Sequence, residues 1–432
     1  MNNNKGNDGT SFGGKIALLL HKAWEQIRSL RPIHRINSRQ KSLADYHGEG
    51  SPEEARLSYV FGILKVVFIS VLCLVLCLTV VLGQGIITYE NVYYMFKDIE
   101  YIKSFDESVT DQLNYSKPIA LQDFEVFKNG LAVASDSEIK LFTSTGRVTM
   151  TRGSEYSNPK LCASGNSLLV YDQGNRSYSI YNSFTELHRE KLDFPISSAA
   201  MAKNGSYAIV TRSPKYTSVV KVYNSSGALD MEYSKNDYVI SADLSDDARH
   251  LSVLSMSASG GESLVALTVV DVSRGEVRSE HKLTDVMPYT CEFISGSRLV
   301  AYYADHVTIY DYDLSIIGEY VYPSTLNKMH TSSDGIVLCM AGDGIASSNS
   351  VVVIDQNARV VYTGTAIGDV YDICLAGGYV YVLTGDAVSR YDTRFGGVST
   401  VKFDGEDSRL AIFEGGKVAV CTTVSAHYIT FD

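Results

Sequence analysis

The sequence predicts an all-β fold: a β-propeller of eight four-stranded blades, with seven as the alternative, preceded by one transmembrane helix and a short cytoplasmic tail. Two observations lead there. Between Ile119 and Asp432 one pattern recurs eight times. A Gly- or Asp-containing turn precedes an apolar strand, and a second tight turn leads into an alternating strand. That strand closes on an aromatic or aliphatic residue before Asp, Asn or Thr. A spacing of about 35 to 50 residues with four short strands per unit is the mark of a propeller. Ahead of the repeats lies the second observation, an uncharged apolar run long enough to span a bilayer.

The tail comes first. Residues 1–13 are rich in Asn and Gly and predict no packed structure. A stripe of Ile16, Leu19, Leu20, Ala23, Trp24, Ile27 and Leu30 predicts an amphipathic helix over about 15–31, ended by Pro32. Its basic flank and the chain's one tryptophan fit a helix on the inner membrane surface, a partner-binding helix or a passive tail. Asn37 to Ser58 is polar and reads as a linker, so the cytoplasmic piece covers 1–61.

The span covers 62–87. From Val66 to Leu82 there is no charge, and 13 of these 17 residues are Leu, Ile, Val or Phe. At roughly −0.3 to −0.6 kcal/mol each they favour insertion by about 4–8 kcal/mol. No small-residue cleavage motif follows Leu82, and Leu72 and Leu76 precede Cys73 and Cys77 where a lipoprotein signal needs a small residue. A permanent anchor is therefore expected. Residues 1–65 carry ten Lys/Arg against six Asp/Glu, and the remainder carries 28 against 43, a net charge of −15. The basic side stays in the cytoplasm by the positive-inside rule, which puts the propeller outside the plasma membrane. The acidic body argues against nucleic-acid binding.

Residues 119–432 form the predicted propeller, and 88–118 supply the strand that closes it. The last unit ends after three strands, so Asp98–Phe105 is the expected fourth strand, with Val92–Phe96 as second choice. In blade three the four strands are expected at Ser197–Ala202, Ser206–Thr211, Val219–Asn224 and Ala228–Tyr233. Ser255–Glu262 and Ala341–Ser350 read as long loops, where binding commonly resides. Most of the 29 tyrosines fall in the repeats and suit half-buried strands. Cys162, Cys291, Cys339, Cys374 and Cys421 sit among apolar neighbours on inner strands, one per blade, and read as buried small hydrophobes rather than disulfides or metal ligands.

Acidic residues recur in the turns between second and third strands: Asp136, Asp172, Asp305, Asp343 and Asp386. Connections between blades add Glu155, Asp193, Asp237, Asp285, Asp369, Glu406 and Asp407. Both sets fall on one face. They are either a surface for a cation or basic partner, or ordinary turn residues whose side chains bond their own backbone. No hydrolase elbow, zinc motif, P-loop or dinucleotide fingerprint occurs, and the nine histidines are scattered. No catalytic residue, cofactor or metal ligand is assigned, and a non-enzymatic role is expected.

These repeats resemble the WD40, YVTN and quinoprotein-like propeller superfamily, without the Gly-Asp pairs of the first or the tryptophan docking motifs of the last. The whole plan resembles a Firmicutes family of single-pass membrane proteins with an extracytoplasmic propeller of unknown function. The resemblance implies a Gram-positive cell surface. The expected role is a membrane-anchored module that binds a protein or envelope component, the alternative being a propeller enzyme acting on cell-wall sugar or peptide.

Overall fold

The computed structural model describes residues 112–143, 145–294, 297–342, 348–403, 408–413 and 416–431, and, within the apolar run, residues 65, 66, 68–70 and 73. The chain divides into two compact units, Met1–Ile87 and Thr88–Asp432. In the first, the six described residues are helical, and Val66, Phe68 and Ile69 are exposed. Among the described residues no helix is long and apolar enough to cross a membrane. The expected tail 1–61, its helix at 15–31 and most of the expected span 62–87 lie outside the described residues.

The second unit is a propeller. Its described residues hold strands β1 to β32 in chain order, paired into eight antiparallel four-stranded sheets. The innermost strands are β2 (Phe124–Phe127), β6 (Pro159–Ser164), β10 (Ser198–Met201), β14 (Tyr238–Leu244), β18 (Pro288–Ile294), β22 (Leu326–Ser332), β26 (Val370–Ala376) and β30 (Arg409–Ile412). Each touches the innermost strand of the next blade, and β30 returns to β2, so they ring a central channel. Blade three runs Ser198–Met201, Tyr207–Thr211, Ser218–Tyr223 and Leu229–Lys235, within two residues of the expected limits.

The core is divided among the seams between blades. Strand β23 (Gly335–Ala341) shows why its sequence is an unbroken apolar run. Ile336, Leu338 and Met340 pack with blade five, while Val337 and Cys339 pack with blade seven. A strand buried on both faces loses the polar alternation of a half-exposed one. Tyr178, Tyr181, Tyr207, Tyr302, Tyr303, Tyr310 and Tyr381 are the largest fully buried side chains, so tyrosine fills these seams. The five propeller cysteines are free thiols. Cys162, Cys291 and Cys374 lie on innermost strands, Cys339 and Cys421 on second strands.

In the first seven blades the Asp, Asn or Thr at the end of the third strand has a local duty. Asp355 Oδ1 accepts from the backbone N–H of Asn357 at 2.8 Å and Arg359 at 2.9 Å, folding the turn to the outer strand. Asn182, Asn224, Asp311 and Asp392 do the same, and Thr143 Oγ1 does so in blade one. Such turns satisfy backbone donors that the ladder leaves over. Gly165 shows where glycine is compulsory: its φ is +48°, and a Cβ there would lie 2.6 Å from the Lys203 carbonyl oxygen of the next blade. In blade one the turn residues with positive φ are Lys128 and Asn129, one position earlier than the Asn129-Gly130 pairing of the repeat suggests.

Two expectations are corrected. The strand that pairs with β32 (Ser425–Ile429) and completes the last blade is β1, Gln112–Asn114. Asp98–Phe105 and Val92–Phe96 lie outside the described residues. Three residues suffice because one inward side chain does the packing: Leu113 is 2% exposed among Ile119, Phe124 and Ala426, between exposed Gln112 and Asn114. Ser255–Glu262 is not a loose loop. It is the tip of a ladder between β15 (His250–Ser259) and β16 (Glu262–Asp271), turned by Gly260 and Gly261 at φ +65° and +93°. Small side chains there conceal a strand that a hydrophobic pattern would reveal. In the second expected loop, β23 extends to Ala341 and β24 begins at Ser348, with residues 343–347 outside the described set.

Leu113→Ala should therefore cost about 2–5 kcal/mol, as a buried leucine truncation does. Gln112→Ala on the same strand should stay within about 0.5 kcal/mol. Equal denaturant midpoints for the two variants would show that this strand does not hold the ring closed.

Candidate functional site

The channel has two differently built ends. Strands β14, β18, β22 and β26 each carry a β-bulge near their start, at Ile240, Tyr289, Asn327 and Tyr371. A bulge adds one residue to a strand, leaves it out of the ladder and re-aims its side chain. Four consecutive blades repeat it at the same register, so these residues line one arc of the channel mouth. Tyr289, Asn327 and Tyr371 border a cavity of about 530 Å³ with Leu326, Asp372 and Arg409. Tyr238, Ile240, Met287 and Tyr289 are exposed beside it, Tyr238 at 69%. Asp237 and exposed Asp285 flank this apolar arc.

Strand direction puts this mouth on the face that carries the predicted acids. Asp136, Asp305 and Asp386 are exposed there. Asp305 Oδ1 lies 2.7 Å from His306 Nδ1, and Asp386 Oδ1 accepts from Thr384 Oγ1 at 3.0 Å. Asp172 is buried, and its Oδ1 accepts from the Asn158 N–H at 2.8 Å. Asp343, Glu406 and Asp407 lie outside the described residues. Among the described residues, no three acidic, His or Cys side chains could jointly hold a metal ion.

The other end holds a cavity of about 580 Å³ bounded by blades one to six. Glu125 of β2, Asp243 of β14 and Glu292 of β18 line it. By accessible surface these three are only partly buried, because they border the cavity; by the protein packed around them they are deep. Burial pushes Glu125 up to about 7, opposed in part by the Arg409 guanidinium. It pushes Asp243 up to about 7 as well, against the Phe293 N–H that donates to Oδ2 at 2.8 Å. Glu292 is raised by burial and lowered less by the Thr331 hydroxyl. Desolvation disfavours the charged form, and of the three only Glu125 has a cation, Arg409, acting against it.

Elsewhere along the channel, side chains satisfy the bare inner edge of the neighbouring blade. Asp372 Oδ2 accepts from the Leu410 N–H at 2.8 Å, and His330 Nδ1 accepts from the Leu375 N–H at 3.2 Å. That second bond needs a neutral imidazole, and burial lowers the His330 pKa accordingly. These channel residues were missed because inner-strand position is not marked in a single sequence. A carboxylate within an apolar inner strand, as in Phe124-Glu125-Val126-Phe127, was the available signal.

Fold and channel together define a closed eight-bladed propeller with an apolar arc at one mouth and a carboxyl-lined cavity at the other. The chain belongs to the Family of unknown function (DUF5711), which matches residues 94–430. No curated protein sequence matches it. Among solved structures the chain is similar to BamB from Moraxella catarrhalis, with a TM-score of 0.50 and 12% identity, covering 74% of this chain and 99% of that one. It is also similar to Chaetomium thermophilum Sqt1, solved bound to the N-terminus of the ribosomal protein L10, with a TM-score of 0.53 and 13% identity over 75% of this chain and 100% of that one. At these identities the likeness is one of fold.

The pH dependence of stability follows from Glu125. Its folded pKa of about 7 exceeds the unfolded value of 4.5, so the folded state holds the proton more tightly. Stability should fall as pH rises from about 4.5 to 7 and level off above, by on the order of 3 kcal/mol at most before solvent in the cavity reduces it. Glu125→Gln should flatten that part of the profile and raise the melting temperature at pH 8 relative to pH 5. An unchanged profile would mean the carboxyl is not desolvated.

Proposed function

We propose that the chain is a single-pass, membrane-anchored module whose extracytoplasmic propeller binds a protein partner at the bulged channel mouth. The observation that carries the binding role is the arc of Ile240, Tyr289, Asn327 and Tyr371, joined by exposed Tyr238 and Met287 and edged by acids. Contiguous exposed aromatics beside a concave mouth are what protein-binding surfaces use as anchors. The acidic rim favours a partner with basic residues around its apolar contact. That Sqt1, a propeller of similar fold, was solved with a ribosomal-protein N-terminus bound supports the reading by analogy. The anchor rests on the apolar run over 62–87 and its basic flank, and the exposed apolar side chains of helical Val66, Phe68 and Ile69 accord with it.

A photo-crosslinker at Tyr289 in the native cell should capture one dominant protein, and one at Val148 on an outer strand should not. Equal labelling from both positions would remove the mouth from consideration. For topology, a membrane-impermeant thiol probe should label Ser157→Cys in intact cells and miss Ser38→Cys. The five native propeller thiols are buried or half-buried, which keeps the background low. The opposite pattern would overturn both orientation and localisation.

One observation favours the second reading, an enzyme acting on cell-wall sugar or peptide. Asp243 and Glu292 share one cavity, repel each other electrostatically and are both raised, as acid–base carboxyls are. Turnover of peptidoglycan fragments that disappears in Glu292→Gln would establish that reading over the first.

A further inference from the structure

We infer that the carboxyl-lined cavity between blades one and six is a binding site for a linear aliphatic polyamine. Three features converge on that class. Glu125 lies deep in the propeller and lines the cavity, yet makes no hydrogen bond or ion pair with any described residue. A buried carboxyl left this way is costly, and a ligand that brings donors and positive charge would remove the cost.

The three carboxyls come from different blades, and the described residues include no group of three that could surround one metal ion. A compact cation therefore cannot serve them together. An extended molecule with ammonium groups along its length can. The wall mixes apolar side chains such as Ala199, Met201 and Phe293 with the hydroxyls of Ser241, Thr290 and Thr331. Methylene spacers suit the apolar part of that wall as ammonium groups suit the carboxyls, and the volume of about 580 Å³ lies in the range of small-ligand pockets.

The cations already present are engaged by other acids, and Arg409 offsets the Glu125 shift only in part. Lys203 at the rim is held by Asp246 at 2.8 Å, and Arg409 lies 3.7 Å from Asp372. The other titratable groups coupled to the three carboxyls are Cys162, Cys291, Cys374 and Tyr302, all raised by desolvation, together with Asp246. None supplies positive charge. Because Glu125 and Asp243 hold protons near neutrality, an arriving polyamine displaces them, and affinity rises with pH across that range.

Calorimetric titration of the full-length chain with spermidine at constant ionic strength tests this. Saturable one-to-one binding is expected, tighter at pH 8 than at pH 6, with heats that differ between buffers because protons are released. Glu125→Gln and Asp243→Asn should each weaken it about tenfold, the loss of one charge-assisted contact. Glu276→Gln and Glu262→Gln, on exposed carboxyls away from the cavity, should leave it unchanged. Melting curves of the free variants confirm that each is folded before titration. Absent binding, equal weakening by the exposed variants, or replacement of spermidine by magnesium at the same ionic strength would overturn the assignment. The result is independent of the channel-mouth reading, which concerns the opposite face.

Discussion

The structure depends on one packing constraint: the second strand of each blade is buried on both faces. Strand β23 divides its side chains between two seams, with Ile336 and Leu338 on one side and Val337 and Cys339 on the other, none more than 1% exposed. A single blade would leave such a strand half in water. An open row of blades would leave two such faces, one at each end. Closure into a ring removes both, which is why the chain recruits β1 from ahead of the repeats to finish the blade that contains β32. The eight seams share this arrangement, so burial is distributed around the ring rather than gathered at its axis.

That division explains what a single sequence made legible. Middle strands read as continuous apolar runs, and their turns carry residues with a mechanism: Gly165 at positive φ, Asp355 and Asn224 folding the backbone onto a side-chain oxygen. Each was visible as a repeated letter. The closing strand was not, because Gln112-Leu113-Asn114 has one apolar residue and no alternation to detect. The long hairpin of blade four was not, because Ser257-Ala258-Ser259 pairs through its backbone while its small side chains carry no pattern. Backbone pairing without side-chain contrast is silent in sequence.

The channel was legible only in part for a related reason. A turn aspartate such as Asp172 announces itself by type, and its use proved local, accepting from the Asn158 N–H. A bulge leaves no such mark. Ile240, Tyr289, Asn327 and Tyr371 share no single residue type, only two of them being tyrosine, and the shifted register of their strands brings them to one arc. Because blades four to seven bulge and β2 and β6 do not, one side of the mouth is displaced relative to the other. A repeated fold thereby acquires a directional surface without any change in its seams.

The same inner strands grade their carboxyls by how well each is compensated. Asp372 has a guanidinium at 3.7 Å and the backbone N–H groups of Ile373 and Leu410. Asp243 has backbone donors but no cation, and faces Glu292 and Asp246 as like charges. Glu292 has one hydroxyl, from Thr331. Glu125 makes no hydrogen bond with a described residue. Were these carboxyls present only to tie blade to blade, each would need a backbone donor from its neighbour, as Asp372 and His330 have. Glu125 ties nothing. A position that carries the cost of a desolvated carboxyl without using it in the fold is better explained by what enters the cavity than by what surrounds it.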